Sequence, residues 1–167
     1  MSHDYTSIGF YTFDCVGWPV TSIPPGGDTY FIEDLTLAVS GAAGTAVIAA
    51  AKMGLDCVAV GGVGDDLMGD WVLERVASFG VDTSLLKPIR GARTSSSIVT
   101  TRPGGARPAL HLRGATADFL VDEPEANKIV DAKVVHFGGI GLMDAMDGPR
   151  NAALIRRAKE NGCITTV

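Results

Sequence analysis

Apolar positions along this chain come in short runs broken by glycine and proline, and the period of those runs changes from segment to segment. Tyr5 to Phe10 reads as a first strand ending near Gly9. Cys15 to Asp28 reads as a loop, because Pro19, Pro24, Pro25, Gly26 and Gly27 punctuate it. Thr29 to Ser40 is rich in β-branched and aromatic residues and predicts one bent strand or two, with the bend at Glu33 and Asp34. Gly41 to Met53 predicts a helix apolar on nearly every face, stopped by Gly54, and such a helix needs cover on several sides. Asp56 to Val63 is continuously apolar, as a buried strand is. Asp65 or Asp66 can cap the next helix, which carries Val72, Val76 and Phe79 on one face and stops at Gly80.

Strand, helix, strand, helix in that order implies a parallel sheet with helices on its faces. The pattern then changes. Residues 95–101 and 108–112 flank the turn RPGGAR and predict a hairpin. Asp122 can cap a short helix running through Glu125 and Ile129. Lys133 to Phe137 predicts another buried strand, followed by GGIGLMD. Asp147 is expected to cap a long helix with Pro149 in its first turn and Gly162 at its stop, and ITTV predicts a last strand. One α/β domain, cut short, with an extra β element built from 29–40 and the 95–112 hairpin, accounts for this order.

Composition narrows the class. At 167 residues, with 46% hydrophobic and 20% charged residues, the chain is neither disordered nor fibrous. Its 14 basic and 19 acidic residues are scattered, which argues against the concentrated basic face that nucleic-acid binding needs. Cys15, Cys57 and Cys163 are far apart, with no CxxC pair, so neither a zinc site nor a disulfide framework is expected. Cys57 and Cys163 read as buried thiols. The first ten residues lack the charged and apolar regions of a signal peptide, and the most apolar stretch, 41–54, is too short to cross a bilayer. A cytoplasmic protein is expected.

Motifs remove further classes. No GxxxxGK loop exists, so a P-loop site is excluded. Gly62-Val63-Gly64 leads to Leu67 and Gly139-Ile140-Gly141 to Asp144, so the dinucleotide fingerprint fails twice. A GxSxG elbow is absent, and His3, His111 and His136 have no metal-ligand spacing. His136 reads as a hydrogen-bonded imidazole in a buried strand. What remains is a combination. Gly9 and Asp14 lie near the end of the first strand, a β excursion follows, and an apolar helix opens at Gly41. A helix N-terminus offers free N–H groups to ligand oxygens, and a carboxylate accepts from hydroxyls. Plain packing of small residues and a polyol site under a β lid both fit this arrangement.

In its order of phrases the chain resembles the N-terminal half of the ribokinase-like (PfkB) carbohydrate kinases. The residues carrying the resemblance are SGAAGTAVIAAAKMG, then CVAVGGVGDDLMGD, FGVDTSLL, RTSSSIV and VVHFGGI. The resemblance covers essentially the whole chain. It implies a three-layer α/β/α fold with a small β-sheet lid, formed by segments at about 15–40 and 95–112, that closes over a sugar or nucleoside. It implies transfer of the ATP γ-phosphoryl to a substrate hydroxyl with Mg2+. Asp14 matches the family aspartate that holds substrate hydroxyls, and Gly41 and Ala42 fall where backbone lines the sugar. Gly138 falls near another substrate-contact position, where some members carry Glu. Two departures stand out: Thr45 occupies the position of a sugar-binding Asn in many members, and Ser40 replaces the first of a glycine pair. The family's second signature, DTxGAGD, which supplies the anion hole and the catalytic Asp, is not in these residues, so no catalytic, ATP or metal residue is expected here. The alternatives are a sugar-binding protein without chemistry and an assembly protein, or a homodimer, joined through the lid by exposed residues such as Tyr30, Phe31 and Ile32.

Overall fold

The computed structural model describes residues 2–167. The chain order is β1 (His3–Gly9), β2 (Thr12–Trp18), β3 (Asp34–Ser40), α1 (Ala42–Lys52), β4 (Cys57–Gly64), α2 (Leu67–Ala77) and β5 (Asp82–Ile89). It continues with β6 (Ser96–Thr100), β7 (Ala109–Leu112), α3 (Ala115–Asp118), α4 (Glu123–Ile129), β8 (Ala132–Gly138), α5 (Pro149–Glu160) and β9 (Ile164–Thr166). Two sheets result. Five strands form a parallel sheet in the order β5-β4-β1-β8-β9, and four form a second sheet in the order β3-β2-β6-β7.

Both faces of the parallel sheet are covered, which is why β4 is apolar at every position and buried throughout. Alternate residues of β4 feed two cores. Val58 and Val60 join Ile8, Phe119, Ile129 and Leu154 on the side of α3, α4 and α5. Cys57 and Ala59 join Val47, Ala50, Val72 and Val76 on the side of α1 and α2. This is the three-layer α/β/α arrangement that the resemblance implied, and the small sheet begins two residues beyond the carboxyl end of its central strand, β1.

Several local expectations change. Cys15 is not in a loop: residues 12–18 form β2, the inner strand of the second sheet, paired with β3 on one side and β6 on the other. The prolines that suggested a loop begin only at Pro19, after the strand has ended. Residues 29–33 are not strand. β3 starts at Asp34 because β2 runs out of pairing partners at Trp18, which is registered with Asp34. Asp147 does not cap α5. Gly148 takes the N-cap position with no side-chain bond, and the Asp147 carboxylate instead accepts from the Gly141 N–H at 2.9 Å and from Asn151 Nδ2 at 3.0 Å. That ties the loop after β8 to the first turn of α5. Asp122 does cap α4, in a reciprocal capping box with Glu125. Helix α2 ends at Ala77, so Phe79 lies beyond it, half-buried beneath Lys52 and Arg75.

Candidate functional site

The second sheet arches over the N-terminal end of α1 and leaves an open cleft of about 600 Å³ between them. Its floor is one face of α1: Ala42, Thr45, Ala46 and Ala49, at the i, i+3, i+4, i+7 spacing of a single helical stripe. The opposite face of the same helix, Ala43, Val47 and Ala50, is buried against the parallel sheet. The helix is therefore not covered on every side. Small side chains on both faces hide that asymmetry in the sequence.

Asp14 descends into the cleft from β2, beside Thr12. It is not in a surface loop after β1, because the chain restarts as a strand only two residues past Gly9. Asp14 is 8% exposed, and its Oδ1 is buried with no hydrogen-bond partner among the described residues. A buried acceptor left without a donor is costly, which makes this the most unusual polar atom of the cleft.

Gly41 opens α1 at φ 83°, and Phe10 explains why nothing larger fits: a Cβ there would sit 2.4 Å from the Phe10 carbonyl oxygen. No side chain caps this N-terminus, so its first-turn N–H groups are left facing the cleft mouth. Gly138, at the end of β8, is not on the cleft wall. It lies under the start of α1, where an added Cβ would come within 2.6 Å of the Ala43 nitrogen. Of the five residues expected to line the site, Asp14, Gly41, Ala42 and Thr45 converge on the cleft, and Gly138 supports the helix that floors it.

Two residues of the cleft were not anticipated. Ser97 and His111 come from β6 and β7, are registered with each other, and are linked Oγ to Nδ1 at 3.1 Å. Ser97 is also registered with Asp14, so the three share one face of the lid. The hairpin alone did not give this pairing: counting back from the turn at 102–107 pairs residue 97 with 112, and the observed register is shifted by one residue.

Beneath the lid the glycine-rich stretch after β4 does structural work. Asp66 is the N-cap of α2, accepting from the Gly69 N–H at 2.9 Å. It also accepts from the Thr94 N–H at 3.0 Å and hydroxyl at 2.5 Å. Burial raises the Asp66 pKa, but these hydrogen bonds outweigh it and hold the carboxyl below its ordinary value. Gly64 and Gly69 let this happen: a Cβ on Gly64 would lie 2.2 Å from the Thr94 nitrogen, and one on Gly69 2.1 Å from the Gly64 oxygen. The network pins the strand that enters the lid, since Ser95 follows at once and binds Thr116. These glycines serve close packing of backbone on backbone. Of His136, the expectation holds in part: its Nδ1 lies 3.0 Å from Thr166 Oγ1, but the ring is only half-buried, and burial lowers its pKa.

Among the described residues no group of three or more His, Cys, Asp or Glu could hold a metal ion, and no helix is long and apolar enough to cross a membrane.

A lidded three-layer α/β/α domain with a cleft between lid and helix is the ribokinase-like fold. Residues 8–167 match the family described as pfkB family carbohydrate kinase, and the chain belongs to that family. It is 33% identical over 129 residues to a probable fructokinase-3 of Arabidopsis thaliana, a match covering 76% of this chain and 37% of that protein. A fructokinase of Solanum tuberosum is 32% identical over the same length, covering 76% and 40%. The structure of Arabidopsis thaliana ribokinase complexed with ribose and ATP superposes at a TM-score of 0.80 with 16% identity, covering 99% of this chain and 53% of that one. The chain thus spans about two fifths of the curated relatives and about half of the solved structure.

Proposed function

We propose that this chain is the substrate-binding and lid half of an ATP-dependent carbohydrate kinase that phosphorylates a hydroxyl of a sugar or nucleoside. The observation that carries the reading is the Asp14 carboxylate, which lines the cleft, is 8% exposed and has one oxygen, Oδ1, without a hydrogen-bond partner among the described residues. A ligand hydroxyl donating to this carboxylate would give it a donor that folding does not supply. Asp14 takes ligand hydroxyls, the uncapped N–H groups at Gly41 and Ala42 face ligand oxygens, and Thr45 offers a hydroxyl from the helix floor. Gly138 holds α1 close to the strand ends. Closing the second sheet over the ligand would exclude water and orient the reacting hydroxyl.

ATP supplies the phosphoryl group and Mg2+ balances its charge in this family-based reading. Among the described residues no group of three or more His, Cys, Asp or Glu could hold the metal, and none is assigned a catalytic role in this reading. Both sites are proposed to lie beyond Val167, in a second half of a cytoplasmic kinase whose lids pair in a homodimer. The alternative is a sugar-binding protein of the same fold without chemistry.

The test is steady-state kinetics of the full-length protein carrying this chain, with fructose, ribose and adenosine as acceptors. In Asp14→Asn one acceptor becomes a donor, and loss of a hydrogen bond to a charged group should raise the acceptor KM about tenfold to a hundredfold. ATP KM should not move. No turnover of any acceptor by the wild-type protein, together with measurable sugar binding, favours the binding-protein alternative. An acceptor KM within about twofold in Asp14→Asn would remove Asp14 from the site.

A further inference from the structure

Helices α4 and α5 pack on the opposite face of the parallel sheet from α1, and between them lies a separate cavity of about 440 Å³. Its floor is apolar: Ala126, Met146 and Leu154 are buried there, and Ala153 adds only a methyl group. Arg150, Ala153, Leu154 and Arg157 have the i, i+3, i+4, i+7 spacing of one stripe of α5, so each end of that stripe bears a guanidinium. Arg156 lines the cavity as well.

Three carboxylates also line it, and two of them are already matched. Glu123 Oε2 lies 2.6 Å from Arg157 Nη2, and Asp122 Oδ1 accepts from the Glu125 N–H at 2.8 Å as the N-cap of α4. Glu160 is the last residue of α5, about 15 Å along the helix from Arg150. The cations are less well served. Arg157 keeps its Nη1 buried and without an acceptor among the described residues. Arg150 donates from Nη1 to the neutral Ala145 carbonyl at 2.6 Å, and among the described residues no carboxylate forms an ion pair with it or with Arg156.

We propose that the α4–α5 cavity is a second ligand site, which takes a small organic oxyanion, a phosphate ester or carboxylate on a compact apolar body. Arg150 and Arg156 bind the oxyanion, and the apolar body covers Leu154 and Met146. The proposal is independent of the carbohydrate reading of the cleft. A cavity of this volume suits a ligand of metabolite size. Guanidinium groups bind phosphate and carboxylate oxygens through paired N–H donors, which a neutral apolar ligand would leave unused. A bare inorganic ion would leave the apolar floor in water, whereas an attached ring or chain removes it.

Calorimetric titration of the full-length protein carrying this chain tests it with phenyl phosphate, which joins an oxyanion to a flat apolar ring. Inorganic phosphate and benzyl alcohol each keep one half of that chemistry. With D-fructose and ADP both saturating, phenyl phosphate should bind about fivefold more tightly than inorganic phosphate and about tenfold more tightly than benzyl alcohol. Arg150→Gln with Arg156→Gln should weaken it about tenfold or more. Arg156→Gln alone, which breaks no hydrogen bond of the described fold, should already weaken it about threefold. Glu160→Gln removes a carboxylate from the lining and should leave binding as tight or tighter. All three side chains are exposed, so the variants should melt close to the wild-type protein. No binding of phenyl phosphate, or its displacement by fructose or ADP, overturns the proposal. Unchanged binding in the double arginine variant, weaker binding in Glu160→Gln, or equal binding of either half-probe overturns it as well.

Discussion

A carboxylate oxygen cut off from water and from any donor works against folding, because its hydration is lost and nothing replaces it. Asp14 Oδ1 is in that position. Truncation to alanine should therefore leave the fold as stable as before or raise its unfolding free energy by about 1–3 kcal/mol, the cost of an unsatisfied buried polar group. Urea unfolding of Asp14→Ala reads this directly, and a clear loss of stability would mark Asp14 as a structural residue. A side chain retained at a cost to stability is what a binding site requires. At this scale the sequence exposed part of the cleft. Asp14, Gly41, Ala42 and Thr45 are local to one strand and one helix start, so their convergence follows from the chain order. Ser97 and His111 reach the cleft only through cross-strand register, which no local pattern displays. Gly138 was placed correctly in the chain but supports α1 from below, a distinction that depends on the 2.6 Å approach to the Ala43 nitrogen.

Elements of this chain are joined by backbone contacts that tolerate almost no added volume. On Gly69 a Cβ would meet the Gly64 oxygen, a rigid backbone atom, so Gly69→Ala must push α2 off the end of β4 and should cost about 1–3 kcal/mol in a denaturant melt. Asp66→Ala removes the N-cap of α2, worth about 0.5–2 kcal/mol, and also frees the Thr94 N–H, so the upper part of that range is expected. The sign of the pH effect follows from the carboxyl being held below its ordinary value of 3.8. The Asp66 contribution is complete above the unfolded pKa and is lost as pH falls through the depressed folded one. Stability measured from pH 6 downward should therefore fall below about pH 4, and less steeply in Asp66→Asn. An identical acid limb in that variant would exclude the mechanism. Helix and strand order in the parallel sheet was legible because each segment has its own period and its own stop. The length of β2 was not, because three prolines just beyond it dominate the pattern, and the open face of α1 was not, because alanine marks no face.

The molecule as a whole has a second apolar surface that its own cores do not use. In the small sheet, residues that alternate with Asp14 and Ser97 point away from the cleft: Cys15, Leu35, Leu37, Ile98, Leu110 and Leu112. Leu35, Ile98 and Leu110 are 63%, 57% and 73% exposed, and Met68 of α2 borders the same patch. Under the homodimer reading proposed above, this apolar face is the surface that a second copy of the same sheet would cover by symmetry. Tyr30, Phe31 and Ile32 were the residues expected to mediate lid pairing. They precede β3, lie outside both sheets and are 53%, 96% and 41% exposed, so they and the strand face are two candidate surfaces for the proposed pairing. Leu37 and Ile98 flank Cys15 in one row, being registered with it from either side. Leu37→Glu with Ile98→Glu should convert a dimeric full-length protein to monomer on a sizing column coupled to light scattering, and Phe31→Glu with Ile32→Glu tests the segment before β3 in the same way. Both pairs are exposed in the single chain, so melting of the isolated monomer should not fall in either. Because the same sheet carries the cleft on its other face, the monomeric variant should still bind sugar, with affinity altered only as far as pairing holds the lid in place. A wild-type protein that stays monomeric at every concentration, or a dimer that survives both pairs of charges, would refute lid pairing.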